Sequence, residues 1–340
     1  MNTVNMKLAK WWEPVEGNKV LCTLCPRYCK IGEGQPGFCY IRQNHKGKLY
    51  SIGYGRPTGF AIDPVEKKPL NHFLPATSIL SFGTAGCNLG CKFCQNWSIS
   101  KAKLDELNSL GASPEDVIRL AKQNNVPSIA FTYNDPTIFG EYVIDISKLA
   151  REEGIKTVMV TAGYIDKEAR KDIYKYIDAA NVDLKGFTER FYFKLTFSHL
   201  KDILDTLSWL KKETGVWFEI TTLLIPDEND SPEEIQRECD WILNNLGDSV
   251  PIHFTAFHPD FKMQDREKTP VETVKTAREI AISSGIKYSY TGNVHNPEGQ
   301  TTYCPGCGIS LIKRDWHSVV TNKIDSGKCP KCGTTIAGVF

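Results

Sequence analysis

The stretch Gly86-Cys-Asn-Leu-Gly-Cys-Lys-Phe-Cys-Gln-Asn-Trp97 sets three cysteines, Cys87, Cys91 and Cys94, at CxxxCxxC spacing on one short segment. Three thiolates from a single loop hold three corners of a four-iron four-sulfur (4Fe-4S) cluster and leave the fourth iron without a protein ligand. A zinc site or an ordinary electron-transfer cluster is the competing reading. Both usually take four protein ligands, and no fourth cysteine lies near Cys94.

Outward from this loop, between about Pro75 and Gly292, apolar strand-like runs alternate with amphipathic helical ones. Strands are expected at Ile79–Thr84, Ser128–Tyr133, Lys156–Thr161, Ala180–Lys185, Val216–Leu224, Ile252–Phe257 and Lys287–Thr291. Ser113-Pro-Glu-Asp116, Ser231-Pro-Glu-Glu234 and Thr269-Pro-Val-Glu272 each place a capping hydroxyl before a proline, with an acid at the third helical position. They predict three helix starts. Strands alternating with helices imply parallel pairing with right-handed crossovers, so the fold class is α/β. Six or so units give a partial or complete β/α barrel, and a doubly wound open sheet is the alternative from periodicity alone. The chain then divides into a Cys-rich N-terminal segment (residues 1–74), the barrel (75–292) and a small C-terminal module (293–340).

In β/α barrels the loops after the strands' C-terminal ends build the site. The cysteine loop follows the first strand, and other unusual polar residues fall at later strand ends. They are Thr132-Tyr-Asn-Asp-Pro-Thr137, Thr161-Ala-Gly163, Asp183-Leu-Lys185, Glu219 with Thr221, and Phe257-His-Pro-Asp260.

Two further cysteine sets flank the barrel. Cys304-Pro-Gly-Cys307 and Cys329-Pro-Lys-Cys332, with a 21-residue spacer, form a zinc-ribbon array of four thiolates. A rubredoxin-like iron site shares that ligand geometry, and zinc is the expectation. Cys22, Cys25, Cys29 and Cys39 form the other set, read evenly as zinc or as a second 4Fe-4S cluster. The twelfth cysteine, Cys239, shares one helical face with Ile235, Ile242 and Leu246 and reads as core. His72, in a stiff proline-bounded segment, is balanced between packing and function.

Lys plus Arg is 41 against 40 for Asp plus Glu, so charge makes no case for nucleic acid or membrane as the main partner. The first twelve residues lack a signal peptide's apolar core, and no apolar run is long enough to span a bilayer. The chain reads as cytoplasmic. In a reducing compartment twelve cysteines argue for metal ligands rather than disulfides.

The cysteine loop, with Phe93 in the aromatic slot of CxxxCx(aromatic)C, resembles the radical S-adenosylmethionine (SAM) superfamily. The resemblance favours the open, partial (β/α)6-type barrel. It implies that Cys87, Cys91 and Cys94 bind the 4Fe-4S cluster, that SAM chelates the open iron, and that SAM cleavage yields a 5'-deoxyadenosyl radical that takes hydrogen from a substrate. Phe93 is then expected beside the adenine. Across the barrel the chain resembles the activating enzymes of pyruvate formate-lyase. There a Gly-Gly-Glu-type turn receives the methionine amino group; Thr132-Tyr133-Asn134-Asp135 stands in its place, with Asp135 as acceptor. Thr161, Asp183 and Lys185 fall on positions resembling those around the methionine carboxylate, while Asp183 and Lys185 also read as a plain strand-end ion pair. Asn134, Glu219 and His258 complete the candidate cofactor-binding residues.

Along nearly its whole length the chain resembles a narrower family, the radical SAM protein of the AmmeMemoRadiSam system. Asp135 and Val65 stand where that family usually has Glu and Ile. This resemblance implies MEMO-like and AMMECR-like protein partners and an electron donor such as ferredoxin or flavodoxin. The expectation is therefore a radical SAM enzyme acting on an unidentified substrate, with a structural zinc. A glycyl-radical enzyme activase and a non-enzymatic iron-sulfur or zinc regulator are the alternatives.

Overall fold

Parallel strands covered on both faces are built from continuous apolar runs, and the central strands here have that composition. The computed structural model describes residues 6–107, 109 and 111–340; residues 1–5, part of the N-terminal stretch read above, lie outside the described residues. The chain forms two compact units: Met1–Ile62, Ile79–Asp178 and Thr196–Ser198 make one, and Asp63–Ser78, Ala179–Leu195 and His199–Phe340 the other.

In the first unit β1 (Ser78–Gly83), β2 (Ser128–Phe131) and β3 (Lys156–Thr161) pair in parallel, with Ile79 opposite Ser128 and Ser128 opposite Lys156. Helices α1 (Pro114–Gln123), α2 (Gly140–Glu152) and α3 (Lys167–Tyr174) follow these strands in turn. Two small antiparallel sheets precede them, one of Trp12–Val15, Lys19–Cys22 and Lys30–Ile31, the other of Lys7–Leu8, Arg42–His45 and Lys48–Ser51. The second of these is tied to α2 by a buried ion pair, Arg42 Nη1 to Glu141 at 2.9 Å, and the same guanidinium donates to the Lys10 carbonyl. Both side chains are about 2% exposed, so removing either partner would leave an unpaired buried charge.

The second unit repeats the pattern. Strands β4 (Ala179–Asp183), β5 (Trp217–Leu224), β6 (Ile252–Ala256) and β7 (Ser289–Gly292) are parallel and adjacent in that order. Between them run α4 (Leu200–Glu213), α5 (Pro232–Asn245) and α6 (Val271–Ser284). Three β/α repeats in the first unit, and three with a closing strand in the second, give the six β/α repeats expected from the sequence.

Two of the three helix starts expected from capping boxes form as read. Ser113 and Asp116 cap α1 reciprocally, at 3.2 and 2.8 Å. Ser231 accepts the Glu234 amide at the start of α5, although the Glu234 carboxylate takes the Phe187 amide instead of closing the box. The third start differs. Helix α6 begins at Val271 with Pro270 as its cap, because the Thr269 hydroxyl accepts the Phe257 amide and donates to the Leu224 carbonyl. Tertiary hydrogen bonds outcompete the local cap.

Strand β7 does not end the apolar core. Tyr288 and Tyr290 pack with Cys304, Leu311, Ile312, Cys329 and Ile336, so the C-terminal sheet (Thr302–Tyr303, Ser310–Asp315, Ser318–Asn322) shares a hydrophobic cluster with the last barrel strand. A directed hydrogen-bond chain runs through the same region. Arg314 donates to the Thr302 hydroxyl at 2.9 Å, Thr302 and Tyr290 hydroxyls meet at 2.8 Å, and Tyr290 reaches His72 Nε2 at 2.5 Å. His72 Nδ1 faces the Ala337 carbonyl at 2.6 Å and must be the donor there. His72 is therefore a buried, neutral packing residue, and burial lowers its pKa to about 4.

The pH consequence follows from linkage. Below the ordinary histidine value of about 6.5 the unfolded chain takes up a proton that the folded His72 refuses, so stability falls as pH drops toward 4. The loss attributable to this group is about 3 kcal/mol across that window. Denaturant unfolding at pH 7.5 and pH 4.5 is expected to show it, and His72→Gln, which does not titrate, is expected to flatten that part of the profile.

Candidate functional site

The cysteine loop leaves β1 at its C-terminal end and is held there by one side chain. Asn134 donates to the Thr84 hydroxyl (3.0 Å) and the Gly86 carbonyl (2.7 Å) and accepts the Thr84 amide (3.2 Å). This residue, expected at the cofactor, splints the ends of β1 and β2. The turn that carries it has an unusual backbone: Tyr133 has φ of 71°, a left-handed conformation that side chains seldom adopt.

Among the loop's thiols, Cys91 is buried and Cys87 and Cys94 are partly exposed. The Leu89 amide points at Cys87 Sγ (3.5 Å) and the Ser100 hydroxyl lies 3.1 Å from Cys94 Sγ. Lys101 bonds the Leu89 carbonyl at 2.7 Å, and the Gly90 amide bonds the Thr196 carbonyl at 2.8 Å. Phe93 is buried. Gly86 is obligatory in this arrangement. It has φ of 80°, and a Cβ there would stand 1.9 Å from the Cys39 carbonyl oxygen.

Asp135 lies at the next strand end, 4% exposed. Its Oδ1 accepts the Thr137 amide (3.0 Å), its Oδ2 accepts the Ala162 amide (2.9 Å), and the Thr161 hydroxyl reaches both oxygens (3.0 and 3.1 Å). Asp135 and Thr161, both expected at the cofactor, are thus brought together, joining the ends of β2 and β3. Burial pushes the Asp135 carboxyl up despite these donors. Cys87 is raised by burial and then by the nearby Asp135, with Lys101 opposing. This corner of the first unit is rich in anionic and metal-ligating groups, so a cation or a cluster of ferric and ferrous ions would relieve it. Three soft thiolates on one loop, each at a separate backbone position, match the donor set of a cluster with one open iron.

In the second unit, Asp183 and Lys185 form an ion pair at 2.7 Å at the end of β4, about 31% and 16% exposed. Glu219 is fully buried in β5. It accepts the Asn71 and His72 amides (3.0 and 2.7 Å), Trp217 Nε1 (3.2 Å) and His253 Nε2 (2.7 Å). Burial alone would raise its carboxyl, but the His253 hydrogen bond and charge outweigh it and hold the group below the usual range. Glu219 organises the second unit's interior, and His253, which the sequence reading did not single out, is its partner. Its signal was a histidine one strand over in register, His253 opposite Thr221, visible once β5 and β6 are paired. His258 is exposed and bonds the Pro259 carbonyl at 2.9 Å.

Cys304, Cys307, Cys329 and Cys332 converge. All four sulfurs lie within 4.8 Å of one another, with Cys304 to Cys332 at 3.5 Å and Cys307 to Cys329 at 3.7 Å. A tetrahedral ion with metal–sulfur bonds of about 2.3 Å has sulfurs about 3.8 Å apart, so the site suits one ion, zinc or iron. The two knuckles are built alike: the Gly308 amide bonds the Cys304 carbonyl and the Gly333 amide the Cys329 carbonyl, each at 2.9 Å. Cys239 is buried in α5, and burial pushes its thiol up to about 12, which keeps it inert.

The family model described as the radical SAM superfamily matches residues 82–239, from the end of β1 into α5. An uncharacterized protein of Methanocaldococcus jannaschii is 42% identical over 333 residues, covering 97% of this chain and 99% of that protein. The pyruvate formate-lyase-activating enzyme of Clostridium pasteurianum is 25% identical over 210 residues, 56% of this chain and 84% of that enzyme. The crystal structure of a radical SAM methyltransferase from Sphaerobacter thermophilus shares the fold with a TM-score of 0.52 at 17% identity, over 64% of this chain and 67% of its own. Among the described residues no helix is long and apolar enough to cross a membrane.

Two measurements check this construction. Gly86→Ala, which pits a side chain against the Cys39 carbonyl and a left-handed backbone, is expected to lose most of the loop's iron and at least about 2 kcal/mol of stability. Iron content after anaerobic purification and denaturant unfolding read the two effects. Cys304→Ser is expected to release about one metal ion per chain and to abolish hydrogen-exchange protection in residues 302–336.

Proposed function

Because this chain belongs to the radical SAM superfamily, we propose that it binds a 4Fe-4S cluster through Cys87, Cys91 and Cys94 and uses it to cleave SAM reductively and abstract hydrogen from a substrate. The observation that carries this reading is the corner where β1 and β2 end: three thiols on one splinted loop beside a buried carboxyl that burial has raised. The cluster and SAM, when bound, supply the electron, the open iron and the radical chemistry. The chain's own residues fix geometry. Asn134 holds the loop to β2, Asp135 and Thr161 hold the ends of β2 and β3 together, and the buried Phe93 is placed beside the adenine by the sequence resemblance. Asp135 attracts a cationic ligand, which suits the sulfonium and ammonium groups of SAM. The roles of Asp183 and Lys185 around the methionine carboxylate rest on the sequence resemblance alone; in the second unit the two form an ion pair.

Activation of a glycyl-radical enzyme is the second reading. The similarity to pyruvate formate-lyase-activating enzyme over 84% of that protein favours it. The MEMO-like and AMMECR-like partners and a ferredoxin or flavodoxin donor belong to the same proposal and rest on the sequence resemblance alone.

The test is anaerobic turnover of the reduced, reconstituted protein with SAM. The parent is expected to release 5'-deoxyadenosine, and Cys91→Ala, lacking one of three loop ligands, is expected to lose at least about 100-fold in rate. Turnover with deuterated cell extract separates the two readings. Label in 5'-deoxyadenosine with small metabolites alone supports a small-molecule substrate, whereas a stable radical on a large protein supports activation. Parental turnover by Cys91→Ala would overturn the loop assignment.

A further inference from the structure

The N-terminal cysteines form a second centre whose sulfurs are arranged differently from the C-terminal four. Cys22 closes the strand Lys19–Cys22, Cys25 and Cys29 follow on the next turn, and Cys39 precedes the strand Arg42–His45. Cys22, Cys25 and Cys39 are buried and Cys29 is partly so. The other three all act electrostatically on Cys25, which places the four thiols in one neighbourhood, and the Cys22 amide bonds the Cys29 carbonyl at 2.9 Å. The Tyr28 amide bonds the Cys25 carbonyl at 3.2 Å, which closes the turn between Cys25 and Cys29. Yet among the described residues the C-terminal four are the group gathered at single-ion spacing, and these four are not. Ligands of a cubane sit on four separate irons and stand further apart than ligands of one ion, as the Cys87, Cys91 and Cys94 sulfurs also do.

This centre abuts the Cys87 loop on both sides of Cys87. The Cys39 carbonyl oxygen fills the space where a side chain at Gly86 would be. Arg27, between Cys25 and Cys29, donates through Nε to the Asn88 carbonyl and through Nη2 to the Phe197 carbonyl, and its guanidinium lies 3.6 Å over the Phe38 ring beside Cys39. One packed contact therefore separates the backbone of a ligand of one centre from the backbone of a ligand of the other. A site with four cysteine ligands has no iron open to substrate, which leaves electron transfer as its chemistry; zinc there would carry no electron.

We propose that Cys22, Cys25, Cys29 and Cys39 hold a second, closed 4Fe-4S cluster that passes single electrons to the cluster on the Cys87 loop. The metal site stands independently of the function proposed above, and the transfer rests on it. A low-potential protein carrier of the ferredoxin or flavodoxin class gives up one electron and reduces the N-terminal cluster. That electron then reduces the loop cluster and returns the N-terminal cluster to its oxidised state. No bond forms or breaks in the relay.

The site is tested without any turnover. A variant with Cys87, Cys91 and Cys94 all replaced by Ala, purified anaerobically, is expected to retain about four irons per chain with the Mössbauer signature of a cubane. The reduced parent is expected to show magnetic coupling between two clusters by electron paramagnetic resonance, and replacing Cys22 and Cys25 by Ser in the otherwise intact protein is expected to remove about four irons and that coupling. A triple variant without cubane iron, whether zinc or nothing occupies those cysteines, overturns the site. The relay is read as the ratio of SAM cleavage driven by reduced flavodoxin to that driven by dithionite. This ratio is expected to fall about tenfold in the Cys22→Ser, Cys25→Ser variant, and an unchanged ratio overturns the relay while leaving both the metal site and SAM cleavage to their own measurements.

Discussion

A loop that must present three thiols at fixed positions has no secondary structure of its own to hold it, and here the Asn134 amide supplies the restraint. Both its amide hydrogens and its carbonyl are committed to Thr84 and Gly86, the residues that lead from β1 into the first cysteine. Because Asn134 itself sits on a turn with Tyr133 in a left-handed conformation, the ends of β1 and β2 are mutually defined. Asp135, the next residue, extends the same logic to β3 through Thr161 and Ala162. Three strand ends are thus locked by two adjacent side chains, which is the preorganisation a metal-binding loop requires.

Buried charge is handled in two ways. Arg42 and Glu141 meet as a closely matched ion pair, with the Lys10 carbonyl taking a further guanidinium hydrogen. Glu219 is served by two backbone amides, an indole and an imidazole, so its carboxylate is satisfied as a hydrogen-bond acceptor as well as by charge. The two networks tie, respectively, the N-terminal sheet that contains Arg42 to α2 and the segment around His72 to β5 and β6. In each case an uncompensated charge would cost several kcal/mol, so segments outside the β/α repeats are bound to them by desolvated polar contacts as much as by apolar area.

Eleven of the twelve cysteines belong to three sets; spacing points the C-terminal four to a zinc ribbon and leaves the N-terminal four open between zinc and a cluster. Their geometry separates them. The C-terminal knuckles bring four sulfurs within 4.8 Å of one another, as the corners of one tetrahedron require, whereas the N-terminal four are drawn from a strand end, a turn and a separate loop and, among the described residues, are not gathered at that spacing. That difference is set by which backbone segments support each thiol, and it bears directly on whether a centre can take part in redox chemistry.

Much of this protein was legible in its sequence because the signals were local. Strand and helix alternation, the Ser113 box, the CxxxCxxC loop and the C-terminal CPxC pairs depend on residues a few positions apart, so period and spacing determined the β/α repeats, the core stripe containing Cys239 and the metal-binding motifs. What depended on long-range pairing was decided by the tertiary structure. Thr269 abandons its helix cap for Leu224 and Phe257; Glu219 finds His253 one strand away; Asn134 serves the loop fifty residues before it; and the ribbon shares its core with β7. In each, a hydrogen bond or apolar contact between distant segments outweighs the local preference, because burial makes an unsatisfied polar group more costly than a lost cap.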